Sequence, residues 1–351
     1  DLKDGAGGGS MRPLTTDDVF DPMACWATSA AFNAALELGL FWLLAEGPMN
    51  TTEIAQALEI PTGRCGYWLQ LLSSTGLVEL GTEGYAPSAT ARAALLDAYS
   101  RDTWSFLAGE ERDRLPAVQN LALHIGESRS TWAIQGLDPP DYWEQMLQSP
   151  ERARRFTRML YEIHQPLAEQ VAGALDTSGT ERLLDLGGGS GVISLALLRR
   201  NPELSAVIVD IPSVCAVGRE IAAENGMEDR ITYLAADYVR DQLPAGFDLV
   251  LECDSGPYDE AFFQKIRTVL KPGGRLAIVD QLAASEGSAP RPWLHWAFLA
   301  SLENPGFALR TVDQVRKRLT SAGFEVLSEC ALPPGDAQRW SSDWVLIEAR
   351  K

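Results

Sequence analysis

Histidine is scarce in this chain: His124, His164 and His295 are the only three in 351 residues. Imidazole is the side chain that titrates nearest neutral pH, so a reaction needing such a base has few candidates. Cations are outnumbered, with 30 Lys and Arg against 48 Asp and Glu and a formal net charge of −18. Such a chain is not drawn to nucleic acid or anionic membrane surfaces without a local basic patch. The Arg-rich stretch from Glu151 to Arg158 is mixed in sign and reads as a solvated helix face. Cys25, Cys65, Cys215, Cys253 and Cys330 stand singly, without metal or redox spacing, and their number is odd. That pattern predicts free thiols in a reducing compartment, hence a cytoplasmic protein. No apolar run reaches membrane-spanning length, and no signal-peptide pattern is visible.

What is present is an ordinary globular balance, 46% hydrophobic and 22% charged, in a length that suggests two domains. Residues 1–10 (DLKDGAGGGS), before Met11, read as a tag and linker. Residues 17–46 predict a helix with a small-residue stripe (Ala27, Ala30, Ala31, Ala34, Ala35, Leu38, Leu40) that ends at Gly47-Pro48. Asn50-Thr51-Thr52-Glu53 caps a second helix, with Asn50 or Thr51 as its N-cap, and a third follows over 64–75. Residues 76–80 and 84–87 read as a short hairpin. Helix, turn, helix and hairpin make a mostly α-helical winged-helix unit over 11–100.

A winged helix suggests DNA, but RCGYWLQLLSST over 64–75 carries a single Arg, too little for a reading helix. A transcriptional regulator is therefore the lesser alternative. Trp26, Phe32, Phe41, Trp42, Tyr67 and Trp68 exceed what a small domain buries, which favours a packing or dimerisation module. Residues 101–178 read as a helical connector broken at Asp138-Pro139-Pro140. There Tyr142-Trp143, Phe156, Met159, Leu160 and Ile163 recur at helical spacing. They either pack a core or roof a pocket, since both use the same residues.

From residue 179 onward strand and helix alternate. Strands are predicted at 182–186, 205–210, 231–235, 247–252, 274–280, 326–330 and 344–348, with helices over 192–200, 214–225, 261–270 and 311–322. This is the pattern of an α/β, Rossmann-like, doubly wound parallel sheet with its last strands antiparallel. Its first strand runs into Gly187-Gly188-Gly189-Ser190-Gly191 and then a helix. A turn without Cβ atoms lets a nucleotide-type ligand approach the backbone.

A dinucleotide and S-adenosylmethionine (SAM) compete for that turn. Asp210 ends the second strand, where a carboxylate can bridge both hydroxyls of a ribose; its alternative is a helix cap through Ser213. Asp237, after the third strand, can accept from an adenine amino group; its alternative is a turn residue. Asp185, just before the glycines, suits a cationic sulfonium ligand better than a pyrophosphate, and no P-loop lysine is present.

Asp185-Leu186-Gly187-Gly188-Gly189-Ser190-Gly191, Val209-Asp210-Ile211-Pro212, Ala236-Asp237-Tyr238 and Lys271-Pro272-Gly273-Gly274-Arg275 resemble the successive SAM-binding motifs of class I methyltransferases. From Met11 onward the chain is similar to the small-molecule O-methyltransferases of plant phenolic and bacterial polyketide-tailoring metabolism. The resemblance implies that Gly187, Gly188 and Gly189 pass the methionine part of SAM and that Asp210, with Ile211 beside it, holds the ribose. It implies that Asp237 and Tyr238 hold the adenine. It also implies a homodimer in which the N-terminal domain partly covers the partner's site.

That family carries a His after the fourth strand as proton acceptor, whereas residues 251–260 here read LECDSGPYDE. A missing base, worth roughly 10²–10⁴ in rate, leaves carbon, nitrogen or an unusually served oxygen as methyl acceptor. A SAM-binding relative that hydroxylates, decarboxylates or cyclises is the enzymatic alternative. His295, Glu252 and Asp254 are the catalytic candidates, with Glu252 also beside the cofactor. Trp26, from the partner, and Trp143, Phe156, Met159, His164, Tyr258, His295, Trp296 and Phe298 are expected to line the pocket for a small aromatic or polycyclic substrate. No metal-ligand spacing is visible.

Overall fold

The computed structural model describes residues 15–16, 19–137, 142–333 and 343–351, except the side chains of Tyr142, Trp143 and Arg291. The tag reading of residues 1–10 and the break at 138–140 lie outside the described residues. The chain divides into two compact units, Asp1–Asp113 and Arg114–Lys351.

The first unit contains α1 (Phe20–Leu38), α2 (Leu40–Ala45), α3 (Thr51–Ala57), α4 (Thr62–Ser74), the hairpin β1 (Val78–Gly81) and β2 (Gly84–Pro87), and α5 (Ala89–Ala91). A π turn over Arg92–Leu96 follows, and then α6 (Arg101–Val118), along which the division between the units falls. The single helix expected over 17–46 is two. Gly39 breaks it with φ 76°, and the Arg101 guanidinium occupies the space a Cβ would need there, its Nη2 donating to the Leu38 carbonyl at 3.2 Å. The cap of α3 is the expected one. Asn50 Oδ1 accepts from the Thr52 and Glu53 N–H groups, and Glu53 returns a bond to the Asn50 N–H. Leu40, Phe41, Leu44, Ile54, Leu69 and Leu72 are fully buried and form the core of this unit.

The second unit begins with α7 (Leu121–His124), α8 (Thr131–Ile134), α9 (Tyr142–Gln148), α10 (Pro150–Ile163) and α11 (Gln165–Ala174). Strand and helix then alternate: β3 (Arg182–Leu186), α12 (Val192–Arg200), β4 (Ser205–Asp210), α13 (Pro212–Glu224), β5 (Ile231–Ala235), β6 (Phe247–Cys253), α14 (Glu260–Val269) and β7 (Leu270–Asp280). After α15 (Leu294–Glu303) and α16 (Val312–Ser321), β8 (Glu325–Ala331) and β9 (Val345–Arg350) close the sheet. The strand order is β5-β4-β3-β6-β7-β9-β8. The first five strands pair in parallel, and β9 pairs antiparallel with both β7 and β8.

The order reverses at β3, which has β4 on one side and β6 on the other. Ligands of doubly wound sheets bind at the carboxyl ends of strands at such a reversal. Each face of the sheet carries its own core, one under α11, α12 and α13, the other under α14 and α16. β7 starts four residues before its expected first residue. Phe247 pairs with Leu270 and Leu249 with Arg275, so the Pro-Gly-Gly turn is carried as an irregularity inside the strand. The mixed-sign helix face on α10 is half used: Arg158 grips Glu224 with both terminal nitrogens at 2.9 and 2.6 Å, and Arg154 pairs with Glu220, tying α10 to α13.

Candidate active site

The glycine turn after β3 forms the floor of a cavity of about 420 Å³ at the carboxyl ends of β3, β4 and β6, a size in the usual range of small-molecule sites, ~300–1,000 Å³. Gly187, Gly189 and Gly191 have φ of 66°, 57° and 76°. A Cβ on Gly187 would strike Ser255 Oγ, and one on Gly188 would strike the Asp185 carboxyl. The turn is held on every side. The Gly187 N–H donates to the Val209 carbonyl at 2.8 Å, and the Tyr233 hydroxyl donates to the Ser190 carbonyl at 2.9 Å. Asp210 Oδ2 accepts from the Gly189 N–H at 2.9 Å and Oδ1 from the Ile211 N–H at 2.7 Å. The Asp210 cap through Ser213 is not used: α13 has no side-chain cap bond, and the Ser213 hydroxyl donates to the Met146 carbonyl at 2.9 Å.

Two buried acids face this cavity. Burial pushes the Asp185 carboxyl up to about 7, against the pull of the Ser194 hydroxyl, which donates at 2.5 Å, and with a further push from Asp210. Burial likewise raises Asp210 to about 6 although two N–H groups oppose it. Among the described residues no Lys or Arg lines the cavity. Buried carboxylates without a cation are completed by a cationic ligand, and a ligand with an ammonium and a sulfonium supplies that. Each Asp210 oxygen accepts one bond, and a carboxylate offers roughly four acceptor sites, so both oxygens retain capacity for ribose hydroxyls. The residues present therefore fit SAM.

The roof comes from α10. Phe156, Leu160 and His164 fall on one face of α10 and its C-cap and line the cavity, with Trp344 beside them. His164 meets Trp344 edge to face, with ring centroids 6.2 Å apart. Burial lowers His164 to about 4, so it is neutral at physiological pH. Both readings of this segment are realised, since Met159 and Ile163, on the neighbouring face, are buried in packing. The expectation that Met159 lines the pocket is thereby corrected.

The end of β6 departs further from expectation. Glu252 is fully buried and does not line the cavity. Its Oε1 accepts from the Ser255 N–H at 2.6 Å, the Gly256 N–H at 2.5 Å and the Ser255 hydroxyl at 3.1 Å, and its Oε2 accepts from the Tyr258 hydroxyl at 2.5 Å. Tyr258, expected against the substrate, is fully buried, stacked on Phe263 with the Arg310 guanidinium 4.9 Å from its ring centroid. Both corrections have one cause: the loop folds inward around the Glu252 carboxyl. Asp254 does line the cavity, as an exposed residue at its edge. Burial first, then Asp280 and Glu252, raise its carboxyl well above the usual range, and it shares a hydrogen bond with Asp280. Burial first, then Asp254, Glu252, Asp185 and Asp280, also raise the Cys253 thiol.

Asp237 lies off this cavity. Its Oδ1 accepts from the Val239 and Arg240 N–H groups at 2.9 and 3.1 Å, so the turn alternative describes that oxygen. With Tyr238 it lines an adjoining cleft of about 920 Å³, and Tyr238 and Ser255 line both spaces. On α15, His295 and Phe298 are exposed, and Trp296 packs edge-on against Trp293 and Phe307; none of the three lines either space. The side chain of Trp143 lies outside the described residues. Trp26, on α1 of the first unit, is 74% exposed. Among the described residues no group of three or more His, Cys, Asp and Glu side chains is arranged to hold a metal ion.

Sequence reasoning passed over Ser194, Tyr233, Ser255, Asp280 and Trp344. Each reaches the site from a different element, and no local motif marks them. The one available signal was the run Cys253-Asp254-Ser255 at a strand end.

A family model for the O-methyltransferase domain matches residues 120–325. The 3-hydroxy-5-methyl-1-naphthoate 3-O-methyltransferase of Streptomyces sahachiroi is 32% identical over 297 residues, 82% of this chain and 83% of that protein. The N,N-dimethyltransferase OxyT of Streptomyces rimosus is 26% identical over 302 residues, 84% of this chain and 87% of its own length. The L-tyrosine C(3)-methyltransferase of Streptomyces lavendulae is 27% identical over 304 residues, 83% of this chain and 82% of that protein. These three relatives are named for transfer to oxygen, nitrogen and carbon. With the glycine turn and its acids fitted to SAM, the chain belongs to the O-methyltransferase domain family and is a SAM-dependent methyltransferase.

Proposed function

We propose that this methyltransferase acts on a small aromatic or polycyclic secondary metabolite and transfers its methyl group to carbon or nitrogen, without the imidazole base usual in the family. The observation that carries this reading is the state of the ionisable groups that line the cavity. His164 is held neutral near 4 and is a poor proton acceptor at neutral pH. Asp254 is pushed toward its protonated form beside Asp280. Asp185 and Asp210 are bound to Ser194 and to the glycine turn, and Cys253 stays a thiol. An amine or an electron-rich aromatic carbon attacks with its own electron pair and gives up its proton to solvent afterwards. A neutral phenol has to be deprotonated first.

When bound, SAM supplies an electrophilic methyl group on its sulfonium. Asp185, Asp210, Ile211 and the Gly187–Gly189 backbone hold it, with Tyr238 at the boundary toward Asp237. Phe156, Leu160 and Trp344 exclude water and offer apolar faces to an aromatic acceptor. Asp254 is engaged with Asp280 and is not counted as the base. Catalysis then rests on proximity and orientation. Homodimerisation through α1 is part of the proposal: Val19, Phe20, Met23 and Trp26 leave an apolar stripe exposed there. A cytoplasmic setting accords with five free cysteines.

The test is incubation with SAM and a panel of aromatic amines, electron-rich arenes and phenols, read by mass spectrometry for S-adenosylhomocysteine (SAH) and the methylated product. C- or N-methyl products are expected. Turnover of phenols alone, to O-methyl ethers, overturns the base-free reading.

A further inference from the structure

The loop between β6 and α14 is built around one carboxylate, and that carboxylate has no place in the cavity. We propose that Glu252 is a positioning residue: by gathering the Ser255, Gly256 and Tyr258 donors it fixes the Asp254–Tyr258 loop against the glycine turn, so that cofactor affinity and the placement of Asp254 both depend on it. The inference rests on the methyltransferase reading of the cavity.

Three observations carry it. Glu252 is fully buried and accepts from the Ser255 and Gly256 N–H groups and the Tyr258 hydroxyl, three to six positions ahead, and it shares the single Ser255 hydroxyl proton with the Leu186 carbonyl. Asp254 and Tyr258, at the two ends of the gathered segment, both have φ of 50°. Side-chain-bearing residues hold that conformation only where their surroundings over-determine it, and the buried carboxylate supplies the surroundings. Finally, the loop is wired to the cofactor turn. Ser255 Oγ donates to the Leu186 carbonyl at 3.1 Å, and the Tyr238 hydroxyl donates to the Ser255 carbonyl at 2.6 Å. A shift of Ser255 therefore moves the last residue of β3 and the Tyr238 wall together. From outside, Arg310 Nη2 donates to the Pro257 carbonyl at 2.8 Å and Arg318 Nη1 to the Tyr258 carbonyl at 3.0 Å. The loop is thus held at its core by one acid and at its rim by two cations.

The chemistry of the replacement distinguishes positioning from proton transfer. In Glu252→Gln the amide oxygen still accepts from the two N–H groups, and the Tyr258 hydroxyl can donate to Asp280 while accepting from the new NH₂. In Glu252→Ala the Ser255 and Gly256 N–H groups lose their acceptor. A base would be lost in both variants.

The experiment compares wild type, Glu252→Gln, Glu252→Ala and Ser255→Ala by three readouts: SAH affinity by calorimetry, kcat, and hydrogen exchange of the peptide spanning 251–260. Glu252→Ala is expected to weaken SAH at least tenfold and to speed exchange at Ser255 and Gly256. Glu252→Gln is expected to stay within threefold of wild type in both affinity and kcat. Folded Glu252→Ala with SAH affinity within twofold and unchanged exchange overturns the proposal. So does a hundredfold loss of kcat in Glu252→Gln with affinity intact, which makes Glu252 a chemical participant. If Glu252→Ala fails to fold, Ser255→Ala decides: a fivefold or greater loss of SAH affinity supports the proposal, and a loss under twofold overturns it. Wild type that binds no SAH contradicts the methyltransferase reading, while the exchange data still report on the loop.

Discussion

The acids around the glycine turn make opposite demands on the protein with and without its ligand. Asp185 is raised to about 7 by burial, so its ionised form costs stability. A raised acid imposes no such cost below its unfolded value, and the cost grows as pH climbs from about 4 toward 7. A bound ammonium relieves it. The thermal stabilisation given by SAH is therefore expected to be larger at pH 8 than at pH 6, with affinity falling by up to about tenfold per unit below pH 7; melting curves at fixed ligand concentration check this. An equal gain at both pH values would show that Asp185 does not meet the cation. Asp210→Ala removes the proposed acceptor for the ribose hydroxyls together with the partner of the Gly189 and Ile211 N–H groups. At about 1.5–3 kcal/mol for a bond to a charged group, SAH affinity is expected to drop at least tenfold, as calorimetry can read.

At this scale the sequence was legible where a motif fixed both residue type and place. Asp185, Gly187, Gly188, Gly189, Asp210 and Ile211 all line the cavity. It was not legible at Glu252 and Tyr258. An acid and an aromatic at a strand end read as site residues, and only the inward fold of the loop turns them to face each other.

Elements place these residues, and two elements do so by close packing. Tyr233 on β5 reaches over α13 to the Ser190 carbonyl, and Gly218 on α13 makes room for it. A Cβ at Gly218 would lie 2.1 Å from the Tyr233 ring. Gly218→Ala is expected to lower stability by about 1–3 kcal/mol through overpacking and to weaken SAH by displacing Ser190. Denaturant unfolding beside a binding titration tests both; unchanged values would mean that the ring moves freely. Tyr233→Phe keeps the ring and loses one bond, a smaller cost of about 0.5–1.5 kcal/mol.

Alternation and helical periodicity located these elements well, and the bounds of β3, β4, β5 and α12 fell where expected. They missed what depends on tertiary partners. The break at Gly39 is filled by Arg101 from 62 residues on, and the irregular start of β7 is set by Phe247. For α10, periodicity could not say which face packs and which lines a pocket. The structure assigns Met159 to the first and His164 to the second.

On the scale of the whole molecule, an acidic chain carries the cofactor turn of its family and, in the proposed reading, a loop without the family's base. The exposed stripe on α1 predicts a dimer: sedimentation is expected to give twice the chain mass, and Trp26→Glu to shift it toward one. A wild-type monomer at micromolar concentration would remove the dimer from the account.

The central claim is methyl transfer without a resident base, and kcat of the double variant Asp254→Asn, His164→Gln measures it most directly. Asn at 254 can still donate to Asp280, as a protonated carboxyl does, and Gln at 164 keeps a polar side chain without an imidazole. With a neutral aromatic amine or an electron-rich arene as acceptor, kcat is expected to stay within about tenfold of wild type. A loss of about 10²–10⁴, the range for a removed general base, would contradict the account.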